Sequence, residues 1–379
     1  MSVLSPGRHR GLVRGLDWTL IAAAVALSGI GSLLVWSATR QRMLDAGGDP
    51  QGFLKRHLLN LAIGLVLGAA AAAFDQRLLR AYAPMIYVAS IVGLLAVLSP
   101  LGSTINGSHS WIVLPAGFSV QPSEFAKVAL VVGLAMLLSE KRDGEDTPRD
   151  GDVLLSLAFA SVPLALVMLQ PDLGTSLVVC ALVLGVLAVA GAPTRWIAGL
   201  LIAAVAVAVL AVQSGFVQGY QLARLTSFID PSADPSGSGY NVRQAQIAVG
   251  SGGLRGQGLF EGYQTQGKFV PEQQTDFVFT VAGEELGLVG AGAIILLLSI
   301  LLWRALRIAT YADDLFGRLV AVGIVCWFTF QSFENIGMTL GLMPVTGVPL
   351  PFVSYGGSSM FATMIAIGLL QNVHLRRSD

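Results

Sequence analysis

Long apolar runs separated by short polar segments dominate the chain, and most are close to the roughly 20 residues that an α-helix needs to cross a bilayer. The pattern predicts an all-α integral membrane protein with ten transmembrane helices, built as one domain over residues 1–379. A long polar loop, 214–275, separates the seventh span from the eighth, and loops of this length in compact proteins are usually functional. The predicted spans lie near residues 17–37, 57–74, 84–99, 122–139, 153–169, 173–190, 195–213, 276–303, 316–342 and 353–374.

The amino-acid composition agrees with a membrane protein and limits the classes of partner that are expected. The chain is 54% hydrophobic and 12% charged, and its mean hydropathy is +0.70, far from the averages of soluble domains. A net charge of zero gives no overall basic field, so no nucleic-acid partner is expected. Cys180 and Cys326 both lie inside apolar runs without ligand-like spacing, which predicts small buried hydrophobic residues.

Charge around the predicted spans gives the orientation. Lys and Arg are more frequent in the segments on the side of the N-terminus, and cytoplasmic loops carry this excess. Both termini are therefore predicted in the cytoplasm. This topology places the 99–121 loop, the 214–275 loop and the 343–357 turn together on the outer face.

Asp276 lies where the polar loop ends and the eighth apolar run begins. An ionisable residue at that depth costs a few kcal/mol unless something holds it, which makes it a candidate site. Apolar neighbours would raise its pKa, so its carboxylate would be suited to accept a proton from a hydroxyl. The alternative is structural, because Thr275 or Asp276 would also serve as the N-cap of the eighth helix.

The segment 121–127 begins the fourth predicted span and carries Glu124 and Lys127 three residues apart, on one helical face. A Lys inside a span is costly enough to need a reason. The functional interpretation is an electropositive point for phosphate, with Glu124 orienting Lys127. The structural interpretation is a buried ion pair that only holds helices together.

Three other features are weaker candidates for functional sites. The glycine-dense segment 250–258 includes Arg255 and would form either an anion-binding nest of backbone N–H groups or a flexible turn, and it matches no nucleotide-binding motif. Asp172 is predicted to be a helix cap or turn former, whereas Glu334 lies deep in the ninth span and alone would suggest a proton or ion path. No histidine falls inside a confident span, so no zinc site is expected.

Six segments, taken together and in order, resemble the SEDS family (shape, elongation, division and sporulation). The resemblance covers about residues 17–375, and the sequences of segments 335–338 and 347–352 are closer to the elongation branch of the family than to the division branch. Glu334 departs from the family pattern, which has an apolar residue there, and His57 stands where Gln is commoner. The segments are 121–127, 170–175, 247–258, 271–279, 284–287 and 343–359.

The resemblance implies a peptidoglycan glycosyltransferase that polymerises lipid II by β-1,4 transfer on the outer face of a bacterial inner membrane. The implied partners are a class B penicillin-binding protein that cross-links the product and other membrane proteins of the elongation complex. Asp276 occupies the position of the family's essential aspartate, and Glu124 and Lys127 match its polar pair. The substrate-binding residues expected with them are Gln121, Arg56, Trp111, Thr275 and Arg255.

No cofactor is required by this interpretation, although a divalent cation (Mg²⁺ or Mn²⁺) would share the neutralisation of a departing pyrophosphate. Two rival functions remain from the residues alone. A flippase or transporter of a lipid-linked precursor would use Glu334, Lys127 and Glu124 as charges near the bilayer midplane. A scaffold would only recruit other wall enzymes, and its polar rim would have no catalytic role.

Overall fold

The computed structural model describes residues 15–105, 108–113, 119–140, 147–213, 228 and 237–376. Within them the chain is a helical bundle with one small sheet. The helices are α1 (Trp18–Asp45), α2 (Gly52–Ala73), α3 (Gln76–Leu98), α4 (Pro122–Leu138), α5 (Asp150–Leu169), α6 (Leu173–Val189), α7 (Thr194–Gln213), α8 (Ser238–Ser251), α9 (Tyr263–Gln266), α10 (Val278–Thr310), α11 (Leu315–Leu340) and α12 (Gly357–Leu375).

Each predicted span coincides with a helix of the described residues, which confirms the all-α membrane fold. Seven of these helices are both long and apolar enough to cross a membrane: α1, α2, α3, α5, α10, α11 and α12. The other three are α4, α6 and α7; α4 and α6 have 17 residues each, fewer than a straight crossing usually needs. A count of ten spans therefore stays a prediction.

The loop between α3 and α4 contains a three-stranded antiparallel sheet in the order β1 (Gly102–Ile105), β2 (Ser108–Val113) and β3 (Ser119–Val120). Ser103 pairs with Trp111, and Ile112 pairs with Val120. The sequence analysis did not predict these strands. Asn106-Gly107, the residue pair most typical of a tight hairpin, stands between β1 and β2 in the sequence and was the available signal.

The two ends of the described chain, at the start of α1 and the end of α12, meet at one end of the bundle. The backbone N–H of Asp17 donates to Gln371 Oε1 at 2.9 Å, and Gln371 Nε2 donates back to the Asp17 carbonyl at 3.0 Å. Arg304, near the end of α10, donates to the Asp17 carboxylate there. Since Val278 lies 26 residues before Arg304, the start of α10 is roughly 40 Å away, at the opposite end of the bundle.

The described part of the long loop is folded onto the bundle. Val242 and Ala245 of α8 pack with Met338 of α11 and Phe277. The glycine segment 250–258 that follows α8 approaches the π-helical turn Ala282–Leu286 inside α10.

The two backbones lie too close together for any residue larger than glycine at positions 252 and 256. A Cβ on Gly252 would lie 2.0 Å from the Gly283 carbonyl oxygen. A Cβ on Gly256 would lie 2.1 Å from the Glu285 carbonyl oxygen. In the structure these glycines therefore serve backbone-to-backbone packing.

Candidate active site

Asp276 lies in the turn that immediately precedes α10, and other segments hold its backbone in place. Asn335 Nδ2 donates to the Asp276 carbonyl at 2.8 Å, and Ser354 Oγ donates to the Thr275 carbonyl at 2.5 Å. The helix begins with Phe277 as its N-cap, and that position makes no side-chain hydrogen bond. Neither Thr275 nor Asp276 is thus the cap residue.

The Asp276 carboxylate is half-buried and faces the turn after α11. A Cβ added to Gly347 would lie 3.2 Å from Asp276 Oδ2. Gly347 also has φ +80°, a conformation that favours glycine. A glycine at this position lets the turn come close to the carboxylate without covering it with a side chain.

Lys127 and Glu124 form a buried ion pair on α4. Lys127 Nζ lies 2.7 Å from Glu124 Oε1, and both side chains are at most 2% exposed. Lys127 Nζ also donates to Gln331 Oε1 of α11 at 2.9 Å and lies 4.8 Å from the centre of the Trp327 ring. The ammonium group is therefore surrounded by a carboxylate, an amide oxygen and an aromatic face, each of which stabilises positive charge.

One loop connects this ion pair to Asp276. Gln331 Nε2 donates to the Pro349 carbonyl at 2.7 Å, and Asn335 Nδ2 donates to the neighbouring Val348 carbonyl at 2.7 Å. Gln331 and Asn335 are four residues apart on α11, so they share one helical face. Through these two amides, the same short stretch of loop is fixed beside both Lys127 and Asp276.

The turn between α5 and α6 closes another side of the site. Asp172 Oδ1 accepts from the Thr175 N–H at 3.0 Å as the N-cap of α6, which confirms its expected capping role. Its other oxygen, Oδ2, accepts from Gln121 Nε2 at 3.2 Å, just before α4. A Cβ on Gly174 would lie 2.5 Å from Val348, so this turn packs directly on the loop that faces Asp276.

Glu334 is fully buried on α11 in the same region. Its carboxylate has the Thr346 side chain as a hydrogen-bonding neighbour, while Asp172 and Lys127 act on it through their charges. With Glu124, the region brings three carboxyl groups around one ammonium group.

Such oxygen atoms suit Mg²⁺ or Mn²⁺ chemically. Within the described residues, however, no group of three or more His, Cys, Asp or Glu side chains is arranged to hold a metal ion. The side chains present therefore do not make a complete protein site for such a cation, and no catalytic step is assigned to one.

Arg56 is exposed at the rim of the bundle, beside the Tyr355 hydroxyl. The Tyr355 N–H donates to the Gln274 carbonyl at 2.9 Å. Gln274 lies two residues before Asp276, so Tyr355 is held against the turn that carries Asp276. Burial raises the pKa of the Tyr355 hydroxyl, and the Arg56 guanidinium opposes part of that shift. Tyr355 therefore stays protonated at neutral pH.

Two expected binding residues lie on neighbouring structures instead of in this cluster. Trp111 is half-buried on β2, whose Ser108 hydroxyl donates to the Gln170 carbonyl at 3.2 Å. Arg255 is exposed, and its backbone packs against Gly287, nine residues and roughly 13 Å along α10 from Val278. A substrate-binding role for either residue stays a prediction.

The sequence analysis missed Gln331, Asn335, Ser354 and Gly347. A signal for two of them was available, because Gln331, Glu334 and Asn335 recur at helical spacing inside an otherwise apolar span. The roles of Ser354 and Gly347 depend on contacts with residues far away in the chain and left no such pattern.

Fold and site together define a multi-pass membrane protein with a charged, partly enclosed site at the end of its bundle opposite the chain ends. The chain belongs to the family described as "Cell cycle protein", FTSW_RODA_SPOVE, which matches residues 17–379.

Similar proteins cover almost the whole chain. Stage V sporulation protein E of Bacillus subtilis (strain 168) is 40% identical over 94% of this chain and 96% of its own length. Peptidoglycan glycosyltransferase MrdB of Escherichia coli (strain K12) is 37% identical over 96% and 94%. A solved structure described as "Structural coordination of polymerization and crosslinking by a peptidoglycan synthase complex" superposes with a TM-score of 0.79 at 33% identity, covering 95% of this chain and 97% of that one.

Proposed function

We propose that this chain is a peptidoglycan glycosyltransferase that polymerises lipid II by β-1,4 transfer, with Asp276 as its general base. Near full-length similarity to an enzyme named peptidoglycan glycosyltransferase supports the activity. The observation that carries the site is the position of Asp276. Asn335 holds its backbone carbonyl, Ser354 holds the carbonyl of the preceding Thr275, its carboxylate is half-buried, and Gly347 faces it without a side chain.

In the proposed reaction Asp276 accepts the proton of the 4-hydroxyl of the acceptor N-acetylglucosamine. That oxygen forms a bond to the anomeric carbon of the donor N-acetylmuramic acid, while the bond from this carbon to the pyrophosphate oxygen breaks. Both bonding electrons leave with undecaprenyl pyrophosphate, and the single displacement inverts the centre from α to β. Positioned proton transfer of this kind typically contributes about 10²- to 10⁴-fold to a rate.

Two cations have separate roles in stabilising the leaving group. Arg56 is exposed at the rim, so it is placed to contact a pyrophosphate directly as a charge-assisted hydrogen-bond donor. Lys127 is buried, and it acts through its field and by fixing Gln331 and the loop at Pro349. Fixed charges in a water-poor site are effective because they need little reorganisation during the reaction.

The apolar interior beyond the site favours an enzyme over a carrier. A carrier needs polar groups on a path across the bilayer midplane. Below Lys127 and Gln331, the described part of the bundle continues as a buried apolar core that includes Leu130, Leu134 and Leu319. Such a core separates the charged site from the opposite end of the bundle.

Location and partner follow from the same proposal. The protein lies in the inner membrane of a bacterium with both termini in the cytoplasm, so Asp276 faces the outer side, where lipid II is polymerised. Its partner is a class B penicillin-binding protein that cross-links the new glycan, together with other elongation-complex membrane proteins. Superposition on a peptidoglycan synthase complex supports the assignment of a partner.

Purified protein incubated with lipid II, with and without the transpeptidase partner, tests the activity directly. Asp276→Asn keeps the size of the side chain and removes its basicity, so polymer formation on a gel is expected to fall by about 10²- to 10⁴-fold. Asp49→Asn is the control, because Asp49 is an exposed carboxylate in the loop between α1 and α2, paired with Lys55. Undiminished polymer from the Asp276→Asn protein would remove Asp276 from the mechanism.

A further inference from the structure

A polar cavity of about 130 Å³ lies at the end of the bundle that carries both chain ends, far from Asp276. Asp17, Arg304, Arg307, Tyr311 and His374 line it, with Ile308 and Val373 as apolar wall. Its volume is well above the roughly 10–15 Å³ that one ordered water needs. The cavity therefore has room for a group larger than a single water molecule.

The wall formed by Asp17 and Arg304 is rigid. Arg304 Nε and Nη2 donate to Asp17 Oδ2 at 2.8 and 2.6 Å, and Asp17 Oδ1 also accepts from the Leu20 N–H. The backbone of Asp17 exchanges two hydrogen bonds with Gln371. Three helix ends are thus fixed together before any ligand arrives, which lowers the entropic cost of binding.

Arginine side chains outnumber carboxylates among the residues that line this cavity. Asp17 is neutralised by Arg304, and among the described residues Arg307 has no carboxylate partner. The Arg307 guanidinium instead lies 5.2 Å from the centre of the Trp303 ring and 5.6 Å from that of Tyr311. These rings hold the guanidinium in place while its N–H groups stay available for an anion.

Two exposed aromatic side chains lie beside the cavity. Trp303 is 54% exposed and Tyr311 49% exposed, and aromatic residues of this kind concentrate at the depth of lipid headgroups. Basic pockets between transmembrane helices at this depth suit anionic headgroups. Arginine also presents a planar fork of donors that matches phosphate oxygens.

We propose that this cavity binds a phosphate ester through Arg307 and Arg304, with the headgroup of an anionic phospholipid as its source. An alternative source with the same chemistry is free phosphate from the aqueous side. The site is independent of the glycosyltransferase proposal, because its ligand need not take part in the reaction at Asp276.

The test uses full-length protein, delipidated in detergent, and three probes: phosphatidylglycerol, phosphatidylcholine and inorganic phosphate. Binding is followed by native mass spectrometry and by the shift in Tm. Phosphatidylglycerol is expected to bind saturably, and Arg307→Gln to weaken it about tenfold, as expected for one charge-assisted hydrogen bond. Arg307→Lys keeps the charge without the fork and should lie between the two.

Arg318→Gln is the matched control, since Arg318 is an exposed arginine near the start of α11, outside the cavity, and its loss should leave phosphatidylglycerol binding unchanged. Inorganic phosphate that binds through Arg307 where phosphatidylglycerol does not would support the phosphate site and overturn the lipid source. Equal phosphatidylglycerol affinities for the Arg307→Gln and Arg318→Gln proteins would overturn the site. Phosphatidylcholine binding as tightly as phosphatidylglycerol would overturn the anionic phospholipid as the source, because both lipids carry a phosphate ester and only phosphatidylglycerol has a net negative charge.

Discussion

At the scale of single residues, the charge of Lys127 is the most demanding feature of the site. Its side chain is 1% exposed inside a membrane bundle, where taking an ammonium group out of water costs several kcal/mol. Glu124, Gln331 and the Trp327 ring together offset this cost. A pair of this kind is not needed for stability alone, because well-packed apolar residues often replace buried ion pairs without loss.

This reasoning separates the structural role of the pair from a functional one. Lys127→Met is expected to lower the free energy of unfolding by about 3–5 kcal/mol, because it leaves Glu124 buried and unpaired. The double variant Glu124→Gln/Lys127→Met should recover most of that stability, as measured by denaturant unfolding in detergent. If the pair serves catalysis, the double variant still makes no lipid II polymer. Polymer at the wild-type level would show that the pair only holds α4 and α11 together.

Glu334 gives a second prediction at this scale. Its carboxyl group is fully buried with the Thr346 side chain as its hydrogen-bonding neighbour, and a buried polar group whose remaining hydrogen-bonding capacity is unmet costs about 1–3 kcal/mol. Glu334→Leu is therefore expected to raise the free energy of unfolding by a similar amount. Lipid II polymerisation should persist, because the proposed reaction uses Asp276. A carrier that moves protons through Glu334 would instead lose its activity completely.

At the scale of elements, the glycine segment 250–258 makes packing contacts that its composition did not predict. Its glycine content suggested a flexible turn or a nest for anions. In the structure Gly252 and Gly256 lie against the carbonyl groups of Gly283 and Glu285, where no Cβ fits. The segment fastens α8 to the π-helical turn of α10 and so fixes the helix that begins beside Asp276.

Two alanine substitutions two residues apart test this packing. Gly252→Ala places a Cβ 2.0 Å from the Gly283 carbonyl oxygen, whereas a Cβ on Gly250 meets nothing within 4 Å. Overpacking of this kind typically costs about 1–3 kcal/mol, so Gly252→Ala should lower Tm by several degrees. Gly250→Ala should leave Tm unchanged or raise it slightly, since alanine is the better helix former. Equal Tm values for both proteins would argue against a packing role.

At the scale of the whole molecule, the reaction requires a defined orientation. Asp17 and Gln371 join the chain ends at one end of the bundle, and Asp276 lies at the other. Polymerisation outside the cell then requires both termini to be in the cytoplasm. The distribution of Lys and Arg favours the same orientation.

Cysteine labelling tests this topology in spheroplasts. In a background with Cys180 and Cys326 replaced by Ala, Thr104→Cys on β1 should react with a membrane-impermeant maleimide in intact spheroplasts. Ser378→Cys, near the end of the chain, should react only after the membrane is permeabilised. The opposite labelling pattern would place Asp276 on the cytoplasmic side and contradict the proposed polymerisation of lipid II.

The sequence by itself determined the helical membrane fold and supplied the candidate site residues. A bilayer forces each spanning segment to satisfy its backbone hydrogen bonds internally, so length and hydropathy, which are local properties, locate the spans. The boundary position of Asp276 and the spacing of Glu124 and Lys127 are also local. Only the tertiary structure decided that Gln331 and Asn335 fix one loop beside both Lys127 and Asp276. These contacts join residues up to about two hundred positions apart, and hydrophobic periodicity does not specify which helix faces meet.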